Sequence, residues 1–596
     1  MITLQNFITP DPEVCTERDL YLHAQGAYGF ATEAAHYVLM RGAELSFDSY
    51  FNLLNLATWH QNCHIKDLFM EISGRGRVAL RIYHEPEYSS RTEIYSDVIT
   101  LDLDHPHQVN LTACLCKLHN EAIRAGIVYV SLTALEDEVQ FSAGRFAIPQ
   151  LPAGLELPRL AISITTFRRE TEVQRTVARL EAFLQQFAYG DHIRVQVVDN
   201  GQSADIPASD RVIPIPNANL GGSGGFARGL LQAEESGASH CLFMDDDASF
   251  DMENIARSYM FLALAHDPKT AVAGAMISNT QKWRMWENGA WFNGSCRPLW
   301  NGTDLRRADK VIAMEHRSNQ AVPGTIYGGW WFFAFPVAAV TRYPFPFFVR
   351  GDDINFSLAN DFRIRTLSGV VSFQDDFTEK ESPQTLYLDL RNHLVQHLTI
   401  PDLRRSALGI ARIAIFFVLR SLFRMHYSTA MVQLMAWEDV IEGPSFFDRN
   451  IDMSARRAKI KDMSEDEAWR PVAEMDLSEH RRGVAKLRHK RRHRWGMRSL
   501  NGHLWPFYRG SRLVLPISKR ALVGQAFGAT QITYLNTRGD KAYRVVRSRR
   551  RFANVLWKMA KLTWRFWRHF DQIQKAYDQD YKAMSSKAYW QDVLKR

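Results

Sequence analysis

Residues 1–155 alternate hydrophobic and polar positions over short stretches, with breaks at Gly, Asp, His and Pro. This period of two is typical of β-strands that bury one face. The clearest segments are RVALRIYH, SDVITLDL, IVYVSLTAL and EVQFSAGRFAI. Because no long helix separates them, they predict an N-terminal β-sandwich domain. A linker with Pro149, Pro152 and Pro158 ends this domain.

Residues 156–400 change to an alternation of apolar strands and amphipathic helices. The strands are LAISITTF, IRVQVVDN and HCLFMDDD, and the helices are ETEVQRTVARLEAFLQQF and GGFARGLLQAEESG. This alternation predicts a doubly wound α/β domain, in which ligands bind beyond the carboxyl ends of the strands. A polar cluster follows each strand: Thr165–Arg168, Asp199–Asn200 and Asp245–Asp247. We therefore expect the three clusters to converge on one crevice.

The acidic run of Asp245, Asp246 and Asp247 needs an explanation, because three adjacent carboxylates repel one another. A bound divalent cation offsets that repulsion, and oxygen ligands suit Mg²⁺ or Mn²⁺. A solvated acidic turn is the alternative interpretation of this run taken alone.

The glycine-rich loop NLGGSGGFARG supports two interpretations. Gly222-x-Gly224-x-x-Ala227 fits the dinucleotide-binding fingerprint, which would indicate a nicotinamide-dependent oxidoreductase. However, the loop follows the second strand of the domain and does not open the first. A single ribose-binding carboxylate also needs no acidic neighbours, so the run of three favours a metal. Absence of NAD(P) binding would exclude the oxidoreductase.

Seven motifs in order carry a resemblance to a known family: TTFRR, VVDN, NLGGSGGFARG, FMDDDASF, WWFFAFP, FVRGDDINF and FQDDFTEKESPQTLYLDLRNHL. Together they resemble the GT-A glycosyltransferases of family 2, and in particular the bacterial polymerising galactofuranosyltransferases. The resemblance implies a multidomain α/β chain with a β-sandwich at 1–155, a GT-A core at 156–400 and a mainly helical domain at 401–596.

The resemblance also implies roles for individual residues. Asp245 and Asp247 would bind a divalent cation that stabilises the departing diphosphate, and Asp353 would be the base for the acceptor hydroxyl, assisted by Asp352. The implied donor-binding residues are Thr165, Phe167, Arg168, Asp199, Asn219, Gly221, Gly222, Arg228 and Asp246. Trp330, Trp331 and Asp352 would contact the acceptor or the donor sugar. The purely structural alternatives are a helix N-cap near Ile354 for the acid pair and core packing for the tryptophans.

Gln374 is the main departure from the family pattern. Relatives typically have a histidine here that completes the metal shell, and Gln374 would take its place with an amide oxygen. Asn355 is a second departure, because relatives often carry a carboxylate two residues after the base. Weaker metal binding, a preference for Mg²⁺ and loss of activity are the open consequences.

The C-terminal third is strongly basic. Residues 401–596 carry 40 Lys and Arg against 18 Asp and Glu, whereas residues 1–400 carry 33 against 47. Lys486–Trp495 is one cationic segment. Arg544–Phe570 is the second, and it places Phe552, Leu556, Met559, Phe566, Trp567 and Phe570 at helical spacing. Such a helix either lies at a membrane interface or packs on its own domain. No nucleic-acid-binding motif accompanies the charge.

The chain as a whole is interpreted as a metal-dependent, inverting glycosyltransferase. The resemblance favours transfer of galactofuranose from UDP-galactofuranose onto a cell-envelope glycan linked to a polyprenyl lipid. A rhamnosyl or other hexosyl transferase is the nearest alternative, and a catalytically weakened glycan-binding relative is an alternative of another class. The longest apolar run, IAIFFVL, is far shorter than the ~20 residues of a spanning helix, and no signal segment or paired-cysteine pattern is present. We expect a peripheral protein at the cytoplasmic face of the plasma membrane, and related polymerases raise the homo-oligomer as a further expectation.

Overall fold

The computed structural model of the chain describes residues 1–119, 125–247, 249–320, 322–375, 381–475, 481–482, 496, 498–504 and 510–595. The basic segment Lys486–Trp495 lies outside the described residues. Over the described ranges the protein is a mixed α/β structure.

The N-terminal part is an antiparallel network of eleven strands within the described residues. The long strand Phe69–Glu85 pairs over its first half with Val139–Ile148, and over its second half with Thr92–Leu101 and Ile127–Ala134. All four predicted strand segments are confirmed, and the β-sandwich arrangement stays a prediction. The remaining elements are strands Ile2–Asn6, His23–Gln25, Tyr28–Ala31, His36–Leu39, Glu44–Ser46, Leu54–Asn55 and His107–Asn110, and helices Leu56–Asn62 and Leu111–His119.

The central sheet confirms the predicted strand–helix alternation. Its seven strands lie in the order Val212–Pro216, Ile193–Asp199, Leu160–Thr166, His240–Asp245, Phe333–Pro336, Thr270–Ala273 and Arg363–Arg365. The first four are parallel, whereas Phe333–Pro336 runs antiparallel to both of its neighbours. Four helices accompany the sheet in the chain: Glu170–Gln186, Gly221–Glu235, Glu253–Leu264 and Ala308–Ser318. A wholly apolar strand such as Phe333–Pro336 does not reveal its direction from sequence, because both of its faces are buried.

Two three-stranded sheets and two helices complete the region around the crevice. The first sheet contains Ala275–Ser278, Met285–Glu287 and Val371–Gln374, and the second contains Ala290–Phe292, Cys296–Pro298 and Ile326–Tyr327. We call helix Asp352–Ala359 the acid-pair helix and helix Pro383–Thr399 the bracing helix. The bracing helix begins with a capping box at Ser382 and is buried along most of its length.

The C-terminal part is mainly helical, as predicted, but it also contains a sheet that the sequence interpretation missed. Strands Ser511–Pro516 and Ala529–Leu535 are parallel, and Lys541–Val546 is antiparallel to the second. Short strands Arg470–Pro471 and Arg481–Arg482 join its edges. The helices are Ala407–Phe423, Tyr427–Glu442, Ser445–Arg449, Ser454–Met463, Val523–Ala526, Arg549–Arg568, Phe570–Met584 and Lys587–Val593. Basic residues interrupt the apolar pattern of Ser511–Pro516 and Lys541–Val546, and Ala529–Leu535 buries three consecutive side chains, so no regular period of two identifies these strands.

Helix Arg549–Arg568 is amphipathic, but its apolar stripe is mostly internal. Phe552 and Phe566 are buried, and Leu556, Met559 and Phe570 pack against the same C-terminal core. The interpretation of these five side chains as membrane-facing is therefore wrong, and the packing alternative holds for them. Trp567 is different, because its side chain is exposed. Among the described residues, no helix combines the length and apolarity needed to cross a bilayer.

Candidate active site

The ends of three parallel strands bring the predicted polar clusters to one edge of the central sheet. Thr165 is aligned with Asp245 on the neighbouring strand, and Thr166 is aligned with Asp199 on the other side. The predicted convergence of the three clusters is confirmed at this edge of the sheet, although only Asp245 among them lines the cleft described below. The hydroxyl of Thr165 faces inward, where it packs against Gly225.

The acidic run at this edge is partly neutralised by a cation that the sequence interpretation passed over. Arg169 forms ion pairs with both Asp246 and Asp247. Burial raises the pKa of the Asp246 carboxyl to about 6, although the charge of Arg169 acts against this rise. The run is therefore a charged, half-buried cluster and not a solvated turn.

Gln374 lies at the same corner of the sheet. Its Nε2 is 3.5 Å from Asp245 Oδ2, and its side chain is buried at the end of strand Val371–Gln374. The alignment of that strand with Ala275–Ser278 places it there. The structure thus brings together Asp245 and Gln374, two of the three residues proposed as cation ligands, next to Asp247.

The residues at this corner fit a hard divalent cation. Carboxylate and amide oxygens are the donors that Mg²⁺ and Mn²⁺ prefer. No three His, Cys, Asp or Glu side chains within the described ranges are grouped as a complete ligand set. The protein would therefore contribute few ligands, as in sites where substrate phosphates complete the shell of the ion.

Asp199 organises its own loop. Its Oδ1 accepts hydrogen bonds from the backbone N–H groups of Gly201 and Gln202, at 2.8 and 2.9 Å. Its Oδ2 accepts from those of Ser203 and Ala204, at 2.8 and 2.7 Å. The carboxylate fixes the shape of this loop, and its role in donor binding stays a prediction.

Phe167 and Arg168 follow the first strand of the domain at the rim of the site. The guanidinium of Arg168 lies 5.1 Å from the centre of the Phe167 ring, and Arg168 adopts a left-handed backbone with φ 57°. The Phe167 side chain is 38% exposed. Both side chains are accessible to a ligand, and their donor-binding roles stay predictions.

The glycine loop begins helix Gly221–Glu235, which we call the glycine helix. Gly221 has φ 69°, and a Cβ atom there would lie 2.2 Å from the carbonyl oxygen of Phe348. The backbone N–H of Ser223 donates to that same oxygen at 3.0 Å, and its hydroxyl lies 3.2 Å from Asp352 Oδ2. The start of the glycine helix therefore packs against the segment that leads into the acid pair.

Three other residues expected to bind the donor lie on or before the glycine helix. Asn219 Oδ1 accepts a hydrogen bond from the backbone N–H of Gly221 at 3.2 Å. Gly222 lines the cleft described below, whereas Arg228 is half-buried further along the helix and does not line it. Their donor-binding roles stay predictions.

Asp352 and Asp353 occupy the first turn of the acid-pair helix. The N-cap is Gly351, at φ 79°, so the interpretation of the pair as an N-cap near Ile354 is wrong. Burial raises the pKa of both carboxyls, and the neighbouring Asp353 raises that of Asp352 further. Carboxyls with a raised pKa are stronger bases once ionised, as proton abstraction requires.

The acid pair lines a cleft of about 510 Å³. The predicted residues in its wall are Gly222, Asp245, Trp330, Trp331, Asp352 and Asp353. The remaining predicted residues lie outside this cleft, most of them near the strand ends and Arg228 further along the glycine helix. The cleft therefore joins the end of the Asp245 strand to the acid pair, across the two tryptophans.

Sequence interpretation missed most of the cleft wall, including Glu287, Cys296, Tyr327 and His393. Burial and then the charge of Asp353 raise the pKa of the Glu287 carboxyl to about 8. Cys296 Sγ lies 3.9 Å from His393 Nε2, and burial lowers the pKa of His393 to about 3. Glu287, Cys296 and Tyr327 come from short strands with no local motif, so only the fold reveals them. His393 lies within the motif FQDDFTEKESPQTLYLDLRNHL, but the motif alone assigned it no role.

Trp330 and Trp331 are both buried and both line the cleft. Trp331 Nε1 donates to the Gly274 carbonyl at 2.9 Å. The Trp330 ring packs edge-on against Phe226 and Phe243, with centroids 4.8 and 5.2 Å away. Its Nε1 is buried with no hydrogen-bond partner in the described part of the chain. Core packing therefore describes much of both rings, and their sugar-binding roles stay predictions.

The segment before the acid pair has an unusual backbone. Phe348 and Arg350 adopt left-handed conformations with φ 77° and 73°, and Gly351 follows at φ 79°. Non-glycine residues pay a steric cost in this region. Surrounding contacts must therefore hold the segment in place.

The bracing helix supplies those contacts. Asn392 Nδ2 donates to the carbonyl oxygens of Val349 and Arg350, at 3.0 and 2.6 Å. Gln396 Nε2 donates to the carbonyl of Gly351 at 2.6 Å. These amide side chains fix the backbone on the N-terminal side of the acid pair.

Asn355, the second departure from the family pattern, belongs to a buried polar network on the acid-pair helix. Its Nδ2 donates to Gln396 Oε1 at 2.8 Å and to Thr399 Oγ1 at 3.2 Å. Its Oδ1 accepts from the hydroxyl of Tyr581 at 2.8 Å. The asparagine amide both donates and accepts hydrogen bonds here. An ionised carboxylate at this position could accept but could not donate.

Sequence comparison relates the chain to galactofuranosyltransferases. It is 24% identical over 439 residues to galactofuranosyltransferase GlfT2 of Mycobacterium tuberculosis, which covers 67% of this chain and 66% of that protein. GlfT2 of Mycolicibacterium smegmatis is 23% identical over 427 residues, covering 67% and 64%. The chain thus aligns with slightly less than two thirds of the length of each. These relatives agree with the glycosyltransferase class predicted from the sequence.

Neither a family model nor a solved structure assigns the chain more finely. No protein-family model matches the chain. A solved mannosyltransferase from Pyrobaculum calidifontis, in complex with GDP-Man and Mn²⁺, is 15% identical with a TM-score of 0.29 and covers 48% of this chain and 77% of that one.

Proposed function

We propose that this protein is an inverting glycosyltransferase of the GT-A type that takes its sugar from a nucleotide diphosphate donor. The observation that carries the proposal is the single cleft that joins Asp245, at the strand end beside Gln374, to the acid pair Asp352–Asp353. The named activity of the relatives makes UDP-galactofuranose the donor of first choice. A growing cell-envelope glycan is the matching acceptor.

The acid pair supplies the general base. In a direct displacement, an acceptor hydroxyl oxygen forms a bond to the anomeric carbon while the bond from that carbon to the diphosphate breaks. Asp353 takes the hydroxyl proton, and the diphosphate leaves with the bonding electron pair. Attack from the face opposite the leaving group inverts the anomeric configuration.

In this proposal, Asp352 positions the acceptor and orients the neighbouring Asp353 carboxyl. Its pKa is raised by burial and by Asp353, so that one proton is retained by the pair more readily than by two isolated carboxyls. A protonated Asp352 donates a hydrogen bond, whereas an ionised Asp353 accepts one. The two carboxyls then divide the roles of holding a hydroxyl and deprotonating it.

Asp245, Asp247 and Gln374 would hold Mg²⁺ or Mn²⁺ at the opposite end of the cleft. A cation there acts as a Lewis acid that stabilises charge on the diphosphate. Arg169, which pairs with Asp246 and Asp247, would then be free to contact a phosphate. Thr165, Asp199, Asn219 and the glycine helix lie around the same strand ends as candidate donor contacts.

The alternatives left by the sequence stay open. Nothing in the cleft distinguishes galactofuranose from rhamnose or another hexose. Gln374 favours the catalytically weakened, glycan-binding alternative, because an amide binds a cation less strongly than the imidazole of the family pattern. These alternatives differ in their products, so they can be separated by assay.

A screen of the purified chain against nucleotide sugars tests the proposal, with Mn²⁺ and Mg²⁺ supplied separately. We expect transfer from UDP-galactofuranose, or slow donor hydrolysis without acceptor, and loss of transfer in Asp353→Asn. Transfer from a different nucleotide sugar supports the alternative of a rhamnosyl or other hexosyl transferase. Glycan binding with neither transfer nor hydrolysis contradicts the enzymatic proposal.

We propose a polyprenyl-linked glycan acceptor, a peripheral position at the cytoplasmic face of the plasma membrane, and a homo-oligomeric assembly. The basic character of residues 401–596 supports contact with an anionic surface. Sedimentation of the purified chain at several concentrations tests the assembly.

A further inference from the structure

Two cavities lie behind the wall that closes the cleft. The larger has a volume of about 840 Å³ and the smaller a volume of about 580 Å³. They adjoin each other, because both are lined by Val322, Pro323, Ile326, Ile364 and Arg365. Neither shares a lining residue with the cleft. We call the two cavities together the rear groove.

The wall between the cleft and the rear groove is thin. Tyr327 lines the cleft, whereas the preceding Ile326 lines the groove. In the same way, Glu287 lines the cleft and the following Asn288 lines the groove. Adjacent residues of an extended chain point to opposite sides. The two sites are therefore separated by the backbone of these short strands.

The rear groove contains hydrogen-bond acceptors. The acid-pair helix and the bracing helix both end there, at Ala359 and Thr399. The last turn of a helix leaves backbone carbonyls without a partner in the helix. Two exposed carboxylates add to them: Asp402, and Asp361, which pairs with Lys269. A ligand in the groove therefore meets carbonyl and carboxylate oxygens.

The groove also contains cationic donors. Arg342, Arg365 and Lys582 line the larger cavity, and Arg317 lines the smaller one. Within the described ranges, no carboxylate lies at ion-pair distance from any of these four side chains. Arg365 is held in place by a hydrogen bond from its Nε to Asn62 Oδ1 at 2.8 Å. Donors and acceptors thus occur side by side along the groove.

Trp300 gives the smaller cavity an aromatic surface. Its side chain is half-buried, and the Arg317 guanidinium lies 5.9 Å from the centre of its ring. Trp300 adopts a left-handed backbone with φ 64°, a conformation with a steric cost that is often found at binding sites. The apolar ring face suits the C–H groups on one side of a sugar.

We propose that the rear groove binds an oligosaccharide, and that this oligosaccharide is the growing acceptor glycan of the proposed function. A hydroxyl both donates and accepts hydrogen bonds, so a sugar chain can satisfy the cations, the carboxylates and the helix ends together. A phosphorylated ligand would also meet two carboxylates and the negative ends of two helices. An apolar ligand would leave guanidinium groups buried without partners.

The inference rests on the proposed function only for the identity of the glycan. Sugar binding in the groove does not need the acid pair, so it can be measured in the full chain carrying Asp353→Asn. Because the groove lies behind the cleft, a glycan held there is retained without contact to the reacting sugar. Groove variants should therefore affect long acceptors and spare short ones.

Calorimetric titration of the Asp353→Asn chain tests the proposal directly. The probes are hexasaccharides and disaccharides of galactofuranose, rhamnose and glucose. We expect one of the hexasaccharides to bind more tightly than its disaccharide. Its affinity should fall about tenfold in Arg342→Met and about tenfold in Lys582→Met, because each change removes a charged hydrogen-bond donor and keeps an apolar chain of similar length. Trp300→Leu should weaken the same complex.

Kinetics of the active chain provide the second measurement. In the combined Arg342→Met and Lys582→Met variant, KM for a hexasaccharide acceptor should rise about a hundredfold, the product of the two losses. Its kcat, and KM for a disaccharide acceptor, should stay unchanged. The matched control is Arg41→Met with Lys66→Met, which removes two exposed cations of the N-terminal part. The control should behave like the unchanged chain with both acceptors.

Three results would overturn the proposal. The first is no hexasaccharide binding, or equal hexasaccharide affinity in the groove variants and the control. The second is an equal rise in KM for short and long acceptors. The third is binding of inorganic pyrophosphate that the groove variants abolish, which would identify an anion site. Failure of the proposed function has a different signature, since transfer to every acceptor would be absent while the hexasaccharide still binds.

Discussion

Asn392 offers a direct test of how the acid pair is held. Replacement by leucine keeps the size of this buried side chain but removes the N–H group that donates to the Val349 and Arg350 carbonyls, at 3.0 and 2.6 Å. A buried acceptor that loses its partner costs about 1–3 kcal/mol. The variant would therefore lose about 2–6 kcal/mol of folding free energy if the segment kept its shape.

The segment has a reason to change shape. Phe348 and Arg350 are held in left-handed conformations, each of which stores about 1–3 kcal/mol of strain. Releasing both residues offsets most of the cost of the lost hydrogen bonds. We therefore expect Asn392→Leu to fold with a small loss of stability and with Asp353 displaced.

Displacement of Asp353, the proposed base, should affect the rate more than the stability. A misplacement of about 1 Å costs about a hundredfold in rate. We expect kcat of Asn392→Leu to fall by about that factor, equivalent to about 2.7 kcal/mol, while KM for the donor stays unchanged. Steady-state kinetics and urea unfolding of the same preparations measure the two effects.

Asn52 provides the matched control. It is buried, its Nδ2 donates to the carbonyls of Ile8 and Tyr21 at 2.9 and 2.7 Å, and its Oδ1 accepts one backbone N–H. Asn392 also accepts one bond, from Arg391 Nε at 2.9 Å, so both variants remove two donated bonds and one accepted bond. Asn52→Leu makes this loss in the N-terminal part and should therefore lower stability without lowering kcat. The reasoning is refuted if Asn392→Leu keeps full kcat, or if both variants lose kcat in proportion to stability.

Four further predictions concern the pH dependence, metal binding and the backbone. Burial raises the pKa of Asp353, so activity should be absent while this base is protonated and should rise as pH increases through the raised pKa; a rate–pH profile that already levels off near pH 4, the usual range of aspartate, contradicts this. Glu287 has a pKa of about 8 and is mostly protonated below that pH, so Glu287→Gln should match the unchanged rate there and diverge only above it. Gln374→His should tighten Mn²⁺ binding, seen as a larger rise in Tm with Mn²⁺ and UDP, and an unchanged rise counts against a ligand role. Gly221→Ala should reduce both stability and kcat, because its Cβ would lie 2.2 Å from the Phe348 carbonyl oxygen; thermal melting and turnover measure the two losses, and wild-type values for both would show that no such contact exists.

Local patterns predicted the elements and their ends. The strand before Asp245 is a continuous apolar run, and parallel pairing then determines that Thr165 and Asp199 lie beside it. The acidic cluster could therefore be placed from the sequence. The helix and strand periods in residues 156–247 were strong enough for this, because each element is buried against the next.

Contacts between distant segments could not be predicted in this way. Glu287 reaches the cleft from a three-residue strand, and its raised pKa depends on Asp353, which lies far along the chain. Gly221 was expected to admit a nucleotide, but its close neighbour is the Phe348 carbonyl. The sequence also assigned the aromatic residues of helix Arg549–Arg568 to one face, whereas the helix uses two.

The hydrogen bond from Tyr581 to Asn355 has a consequence for how the protein can be divided. The last helices of the described chain support the rear of the acid-pair helix, and Trp590 adds a bond to the Pro344 carbonyl at 2.7 Å. An excised fragment that stops at residue 400 would leave the Asn355 acceptor facing water and the aromatic residues before the acid pair uncovered. The helix that carries the proposed base is thus supported by segments more than two hundred residues further along the chain, and a fragment without them should lose activity.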